Sequence, residues 1–426
     1  MKKNINKFWV IILVLITSCS KNFTDPSGPS VQQAFNSPQS LTAVSVGLQN
    51  WYTAGRGGNI YNTISTSGIL ANELFVVNAG NTDEQQFYAG GNFVLNTNGM
   101  ATSMWSVSNK IISDANSILN NLSIVKDPGY ASGLLAYASI FKALAIGNLA
   151  TFWNNIPDTI GVKVNFISSN DGFNKALFVI NNAINAINTT PPGSTFLNNI
   201  PSGINLLNTL YALKARYSLF VGNYSDALSA ANQVNLNVKS VFNYNTITLN
   251  PVFSVAASTN NVYQPTDGNL GLPAGIQPDP NDARLPFYLS ANTNAPIYRI
   301  KGFFNASTGS IPVYLPGEIT LIKAEAYARQ NDLTNALNQL NIVVTKSPVS
   351  DPFGVGANLP PTGYIDQNDL LNQIYKHRCI ELYMSGLKLI DERRFNRNVS
   401  ERKRNFLPFP FVERNDNSNT PNDPPF

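Results

Sequence analysis

Five acidic residues outside the strongly periodic helical segments are candidates for carboxylate chemistry. Retaining and inverting glycosidases need only two carboxyl groups, held at a set separation on either side of the scissile bond. The sequence excludes none of the five from such a pair, so a glycosidase-type enzyme stays open as an alternative. The candidates are Glu73, Asp83, Glu84, Asp279 and Asp282.

Other common catalytic arrangements have little support, because His377 is the single histidine of the chain. Zinc-protease motifs and metal sites with two histidines are therefore excluded, and a nucleophile triad would have to use this one residue. The chain has no Gly-x-Ser-x-Gly elbow and no Gly-Lys dipeptide, and Gly55-Arg56-Gly57-Gly58 lacks the spacing of a dinucleotide loop. We expect a protein that is not an enzyme, with no catalytic residue, cofactor or metal ligand.

The segment Ile16-Thr17-Ser18-Cys19 points to a different chemistry, the acylation of a thiol. It follows three lysines and the apolar run Phe8 to Ile16, which is too short to cross a bilayer as a helix. This order resembles a bacterial lipoprotein signal, with residues 1–18 removed and Cys19 lipidated. An ordinary signal peptide that carries a cysteine by chance is the alternative. We expect no other stretch of the chain to span a membrane.

Aromatic side chains in two segments without helical periodicity could instead bind a ligand. Sugars present apolar faces and hydroxyl edges, so a sugar site needs exposed rings with polar side chains at the rim. Packing in the core is the competing explanation for each ring. The residues predicted to bind ligand are Phe75, Phe87, Tyr88, Tyr263, Tyr288 and Tyr298, with Phe93 and Phe303 in the same two segments.

Composition gives no electrostatic case for a nucleic-acid partner. The 426 residues are 43% hydrophobic and only 13% charged, which is enough apolar material for a large core. The net charge of +4 falls to +1 without Lys2, Lys3 and Lys7, and no basic block remains. Binding to nucleic acid depends on many phosphate contacts, which this chain does not offer.

The elements that must position these residues are mostly helices. Helical periodicity predicts a scaffold over about 31–52, 104–237 and 316–396. Within it, Ala215 and Ala227, and likewise Ala324 and Ala336, stand twelve residues apart on either side of a polar turn. Small alanines let two helices approach closely, so we expect helical hairpins at about 204–235 and 316–345. They resemble tetratricopeptide units, of which we expect three or four.

Two long segments interrupt the scaffold, at about 53–103 and 238–311. The first is rich in Gly, Asn and Thr, and prolines recur throughout the second. The second is too long for a plain loop, so we expect turns and short strands packed on the helices. A single helix is expected from about 367 to 395. The Pro-rich tail at 405–426 is expected to be extended and without regular structure.

Three C-terminal motifs resemble those of the SusD/RagB family of nutrient-uptake lipoproteins. Residues 318–326 are similar to its Glu-x-x-Leu-x-x-Ala-Glu-Ala helix, and residues 407–426 to its Leu-Pro-x-Pro ending. Residues 377–394 are similar to a third family helix. His377, Ser385 and Leu389 depart from that third motif. The matching residues of this helix are Arg378, Glu381, Leu382, Gly386, Asp391 and Arg394.

Weaker matches lie further upstream. Trp105, Asn155-Ile156-Pro157 and Asp282-Ala283-Arg284 fit family patterns loosely. The charged motif residues are interpreted as paired or solvent-facing charges on the scaffold rather than as catalytic groups.

The resemblance implies a mostly α SusD-like fold, with residues 19–426 forming one domain. It also implies an outer-membrane lipoprotein, anchored through Cys19 and exposed on the cell surface. Such a protein binds a glycan or peptide and delivers it to a TonB-dependent, SusC-like transporter. A glycosidase with paired carboxylates and a helical-repeat scaffold for protein interaction are the alternatives.

Overall fold

The computed structural model describes residues 31–426, and Cys19 and the predicted signal peptide lie outside them. The described chain is mostly helical, as predicted, with sixteen α-helices. In chain order the helices are α1 Val31–Ala34, α2 Pro38–Thr53, α3 Asn59–Leu70, α4 Thr82–Ala89, α5 Gly99–Asn120, α6 Pro128–Phe152, α7 Ser169–Thr189, α8 Ser194–Leu197, α9 Leu206–Phe220, α10 Tyr224–Asn232, α11 Arg284–Tyr288, α12 Pro316–Arg329, α13 Leu333–Thr345, α14 Gln367–Glu381, α15 Lys388–Arg394 and α16 Phe411–Asp416.

Short strands form four two-stranded antiparallel sheets in the described chain. The pairs β1–β5 and β4–β8 join segments far apart in sequence, because Leu74 lies opposite Pro265 and Val241 opposite Pro312. The strands are β1 Leu74–Val76, β2 Asn155–Pro157, β3 Phe166–Ser168, β4 Val241–Phe242, β5 Tyr263–Pro265, β6 Leu289–Ala291, β7 Tyr298–Ile300 and β8 Ile311–Pro312.

The two predicted helical hairpins are confirmed as α9–α10 and α12–α13. All four of the spaced alanines are fully buried between the paired helices, which is why small side chains are needed there. The turns use Gly222 at φ 78° and Asn331 at φ 62°, a left-handed conformation that glycine and asparagine tolerate. Long helices α5, α6 and α7 pack side by side N-terminal to these hairpins.

Helix α6 is the central helix of the fold. Among residues 31–426 it is the one helix long and apolar enough to cross a bilayer, whereas the prediction was that no stretch has this length and hydropathy. However, 89% of its most apolar 18-residue stretch is buried by the rest of the protein. Apolar residues on all its faces therefore serve packing, which is typical of a core helix.

The prediction of an irregular segment at 53–103 is wrong over much of its length, because α3 and α4 lie there. Helix α3 is almost entirely buried although it is rich in Asn, Ser and Thr. Its polar groups find partners inside the protein: Asn59 donates to Ser108 at 2.9 Å, and Ser65 bonds Tyr263 at 2.8 Å. A helix buried on all sides shows no amphipathic period, so the pattern did not predict it.

Two C-terminal expectations also need correction. The single helix predicted from 367 to 395 is broken between Glu381 and Lys388, where Met384 and Gly386 have φ of 56° and 85°. The tail is not wholly irregular, because α16 occupies Phe411–Asp416. The expectation of turns and short strands at 238–311 agrees with β4 to β8.

The charged residues of the family-like motifs are paired inside the protein. Arg378 donates to Asp391 at 2.9 Å, and Arg394 donates to both Glu325 and Asp391 at 2.8 Å. These ion pairs tie α12, α14 and α15 together. The interpretation of these residues as paired scaffold charges is therefore confirmed for this set.

The free cysteine of the described chain, Cys379, is buried in α14. Burial raises the pKa of its thiol to about 12, so the thiol stays protonated and unreactive at neutral pH. It packs as a small apolar side chain, as expected.

Candidate functional site

The structure does not bring the six predicted ligand-binding aromatics into one exposed surface. Phe87, Tyr263 and Tyr288 are buried core residues, so the prediction of an exposed ring is wrong for these three. The Tyr288 ring lies 5.6 Å from that of Tyr383, and its hydroxyl donates to the backbone oxygen of Glu381. These contacts join distant segments, and no local sequence pattern indicates them.

The other three predicted residues reach the surface only in part. Phe75 in β1 and Tyr298 in β7 are half-buried. Tyr88 is 37% exposed, but the Lys403 ammonium lies over one face of its ring, 4.3 Å from the ring centroid. Ligand binding by Tyr88, Phe75 and Tyr298 stays a prediction. The more exposed ring of the same segment is Phe93, at 65%.

Two adjoining concave surfaces flank helix α4, and Thr82 at its start lines both. We call them together the α4 cleft. One surface is polar and the other is largely apolar. The polar side is lined by Arg56, Asn62, Asn81, Asp83 and Ser103, and the apolar side by Ala79, Ala89, Phe93 and Leu95 with Gln85, Gln86 and Asn92.

Arg56 is held at the mouth of the polar side by a buried carboxylate. Its Nη2 donates to both oxygens of Glu84, at 2.6 and 2.7 Å, and Tyr61 donates to the same carboxylate at 3.1 Å. Burial, together with the charge of Glu84, raises the pKa of Tyr61 well above its usual value, so Tyr61 stays a donor. The Nε and Nη1 of Arg56 have no partner among residues 31–426, and the side chain is 46% exposed.

Asp83 faces the cleft from the first turn of α4. Its Oδ1 accepts from the backbone N–H of Gly99 at 3.0 Å, which leaves Oδ2 as an open acceptor. Asn98, fully buried, donates to the backbone oxygen of Asp83 and caps α5 through the Ala101 N–H. A Cβ at Gly99 would lie 2.6 Å from Asp83 Oδ2, so a larger residue there would displace the Asp83 carboxylate.

The loop before α4 is fixed by the second non-helical segment. Asn81 donates to the backbone oxygens of Asn78 and Asn261 at 3.0 Å, and Val77 donates to Val262. The 238–311 segment therefore supports the polar side from behind. Tyr263 belongs to this support, since its ring lies 6.2 Å from that of Tyr61.

The apolar side is built on the short turn after α4. Gly90 there has a φ of 69°, and a Cβ would lie 2.6 Å from Lys403, so the turn needs glycine. Gln86 accepts from the Leu95 N–H at 3.2 Å, which fixes the segment that carries Phe93 and Leu95. Both side chains stay at least half exposed. The result is an apolar platform beside the polar pocket.

Sequence reasoning identified part of the α4 cleft and missed the rest. Asp83 and Glu84 were candidates as carboxylates and Phe93 as an aromatic, whereas Arg56, Asn62 and Asn81 were not candidates. The sequence feature that could have indicated Arg56 is its position among three glycines, because a glycine-rich turn exposes a long side chain.

The remaining candidates for catalysis lie apart from the cleft. His377 is buried, and its Nδ1 lies 2.9 Å from the Arg284 guanidinium, so it accepts a hydrogen bond there. Burial and Arg284 lower the pKa of His377 well below its usual value. Asp282 pairs with Arg284, Glu73 is buried and Asp279 is exposed. Residues 31–426 hold no cluster of three metal-ligating side chains.

Comparison with known proteins identifies the fold. No family model matches the chain, and no curated protein matches it either. Among solved structures, a SusD superfamily protein from Bacteroides fragilis superposes with a TM-score of 0.68 at 16% identity, covering 90% of this chain and 99% of that one.

Two further structures have descriptions that mention a ligand. A SusD-like carbohydrate binding protein from Bacteroides vulgatus has a TM-score of 0.67 at 17% identity, with 88% and 86% of the chains covered. A laminarin binding SusD-like protein has a TM-score of 0.62 at 16% identity, with 91% and 99% covered. At such identities the likeness establishes the fold. The chain therefore has the fold of the SusD superfamily, as its C-terminal motifs predict.

Proposed function

We propose that this protein binds an oligosaccharide in the α4 cleft. The observation that carries the proposal is the meeting, at Thr82, of a polar pocket containing Arg56 and Asp83 with an exposed platform formed by Phe93. A sugar offers an apolar face for stacking and hydroxyl groups for charged hydrogen bonds, and the cleft is complementary to both. The carbohydrate-binding descriptions of two structural neighbours support the same ligand class.

Binding without hydrolysis fits the carboxylates of the cleft better than a glycosidase does. Hydrolysis requires two carboxyl groups about 5 to 10 Å apart across the bond to be cleaved. Asp83 is the one carboxylate among the described residues that line the cleft, and Glu84 is already engaged by Arg56 and Tyr61. We expect purified protein to release no product from a glycan panel. Sustained release that Asp83→Asn abolishes would favour the glycosidase.

A ring substitution tests the binding site. Phe93→Ala should weaken binding of an oligosaccharide by about two- to twelvefold, because one stacked ring contributes about 0.5–1.5 kcal/mol. Phe178→Ala is the matched control, since Phe178 is equally exposed, at 66%, on α7 outside the cleft. Isothermal titration after a screen of neutral glycans measures both. Equal affinity of Phe93→Ala and wild type would place the site elsewhere.

We further propose that the bound glycan is delivered to a SusC-like, TonB-dependent transporter in the outer membrane. The resemblance of the C-terminal motifs and the SusD fold support this partner. Co-purification of the tagged protein from outer membranes tests it. A transporter of this class should accompany the protein at constant stoichiometry.

The proposed location depends on Cys19, in the segment outside the described residues. Cys19→Ala should leave an unprocessed precursor that no longer fractionates with the outer membrane, because several acyl chains on one residue give a stable anchor. Cys379→Ala serves as the control, since it removes the other cysteine and should leave fractionation unchanged. An anchored Cys19→Ala protein would contradict the lipoprotein interpretation. Protease shaving of intact cells then tests exposure at the cell surface.

A further inference from the structure

The polar side of the α4 cleft has an unusual balance of charge. Arg56 is neutralised by Glu84, whose carboxylate is fully buried behind it. The positive end of the α4 helix dipole is likewise offset by Asp83 and Glu84 in its first turn. Counting Arg56 as +1 and Glu84 and Asp83 as −1 each, the polar side and the buried carboxylate behind it carry a net formal charge of −1.

The hydrogen-bonding groups of the cleft are of both kinds. Arg56 offers N–H donors from Nε and Nη1, whereas Asp83 Oδ2 accepts only. Asn62 lies beneath the pocket: its amide nitrogen donates to the backbone oxygens of Gly57 and Gly58, and its buried Oδ1 has no hydrogen-bond partner among residues 31–426. A ligand that satisfies this set must both accept from Arg56 and donate toward Asp83.

Hydroxyl groups meet this requirement and anionic groups do not. A sugar hydroxyl accepts one hydrogen bond and donates another, so neighbouring hydroxyls can bridge Arg56 and Asp83. A carboxylate or sulfate group only accepts, and it would lie against the Asp83 carboxylate. Two like charges a few ångströms apart at a protein surface reduce affinity by about tenfold or more.

We infer that the α4 cleft selects uncharged glycans, and that Asp83 is the residue that excludes uronic-acid and sulfated glycans. This inference rests on the proposed function and adds the ligand class to it. Because Glu84 already neutralises Arg56, the carboxylate of Asp83 determines the sign of the preference.

Matched pairs of glycans test the inference. The probes are laminarin, amylose, xylan and galactan oligosaccharides, each paired with its own sulfated derivative. Where wild type binds a pair at all, its affinity for the neutral member should be at least about tenfold higher than for the sulfated member. Added salt should reduce this ratio, because it screens the charge of Asp83. Asp83→Asn keeps the Oδ1 acceptor for Gly99 and should shrink the preference at least about threefold. Asp114→Asn, about 22 Å along α5 from Gly99, should leave the preference unchanged.

The outcomes separate the two proposals. Binding of no neutral or sulfated probe overturns the proposed function and this inference with it. Binding of a sulfated probe as tightly as its neutral partner overturns the inference alone. A preference for the neutral glycan that neither salt nor Asp83→Asn alters also overturns the inference, because the cleft would then select its ligand by shape rather than by charge.

Discussion

Replacing Arg284 by alanine is expected to destabilise the protein by about 3–5 kcal/mol, because the change leaves buried charges without a partner. The Arg284 side chain is fully buried and donates to Asp282 at 2.7 Å and to Glu381 at 3.0 Å. Without Arg284, Glu381 keeps the Lys346 ammonium at 2.7 Å, whereas buried Asp282 loses its one ion-pair partner among the described residues. Urea unfolding of the purified variant measures the loss.

A surface pair provides the control for this prediction. Arg414 pairs with Asp423 at 2.7 Å, but both side chains are partly exposed, so Arg414→Ala should cost at most about 1 kcal/mol. Arg284→Lys should lower the free energy of unfolding by an intermediate amount, since lysine keeps the positive charge but loses the planar guanidinium that binds two carboxylates. If Arg284→Ala unfolds at the same urea concentration as wild type, the ion pairs of Arg284 with Asp282 and Glu381 contribute no net stability.

Stability should also fall as the pH rises from about 5 to about 8. Two buried glutamates, Glu73 and Glu392, have carboxylates with no side-chain hydrogen-bond partner among the described residues. Burial raises the pKa of Glu73 from its usual 4.5 to about 7, and that of Glu392 to about 8, although Lys388 opposes both shifts. Both groups are therefore held as neutral acids in the fold.

The direction of the pH effect follows from proton binding. Through Glu73 and Glu392 the folded protein binds more protons than the unfolded chain in this range, and these two protons outweigh the one that buried His377 takes up on unfolding. Raising the pH therefore favours unfolding. Stability from these groups is complete below the unfolded pKa and is lost as the pH passes the folded pKa. A tenfold change in proton affinity is worth about 1.4 kcal/mol, so the contribution is on the order of 3 kcal/mol for Glu73 and 5 kcal/mol for Glu392.

Glutamine substitutions test this account because an amide resembles the neutral acid. The double variant Glu73→Gln, Glu392→Gln should be more stable than wild type at pH 8.5, and its unfolding free energy should vary less between pH 5 and 8.5. Asp114→Asn, at a surface pair with Lys110, should keep the wild-type slope. A wild-type stability that rises with pH over this interval would contradict the account.

The parts of the fold that were predictable are those with short-range physical signals. The spacing of Ala215 and Ala227 reports close helix contact within one hairpin, and that contact is local. The break in the last helix was not predictable, since the apolar period continues through it while Gly386 packs against Thr63 from another element. Helix α3 was missed because its polar residues are satisfied by distant partners.

The candidate site was predictable only in its general location. The segment 53–103 does contain the α4 cleft, yet Phe87 and Tyr263 belong to its buried support. The residue type alone does not show whether an aromatic ring is exposed for stacking or buried in the core, because the same apolar rings serve both purposes. The difference is decided by tertiary neighbours such as Tyr61, which the sequence places far away.

The central claim, that ligand occupies the α4 cleft, is tested most directly by hydrogen–deuterium exchange with and without a saturating neutral oligosaccharide. We predict slower exchange in peptides covering 54–62 and 78–98, which carry Arg56, Asp83 and Phe93. Peptides of the α12–α13 hairpin should be unchanged. Protection confined to other segments, with 78–98 exchanging as in the free protein, would contradict the claim.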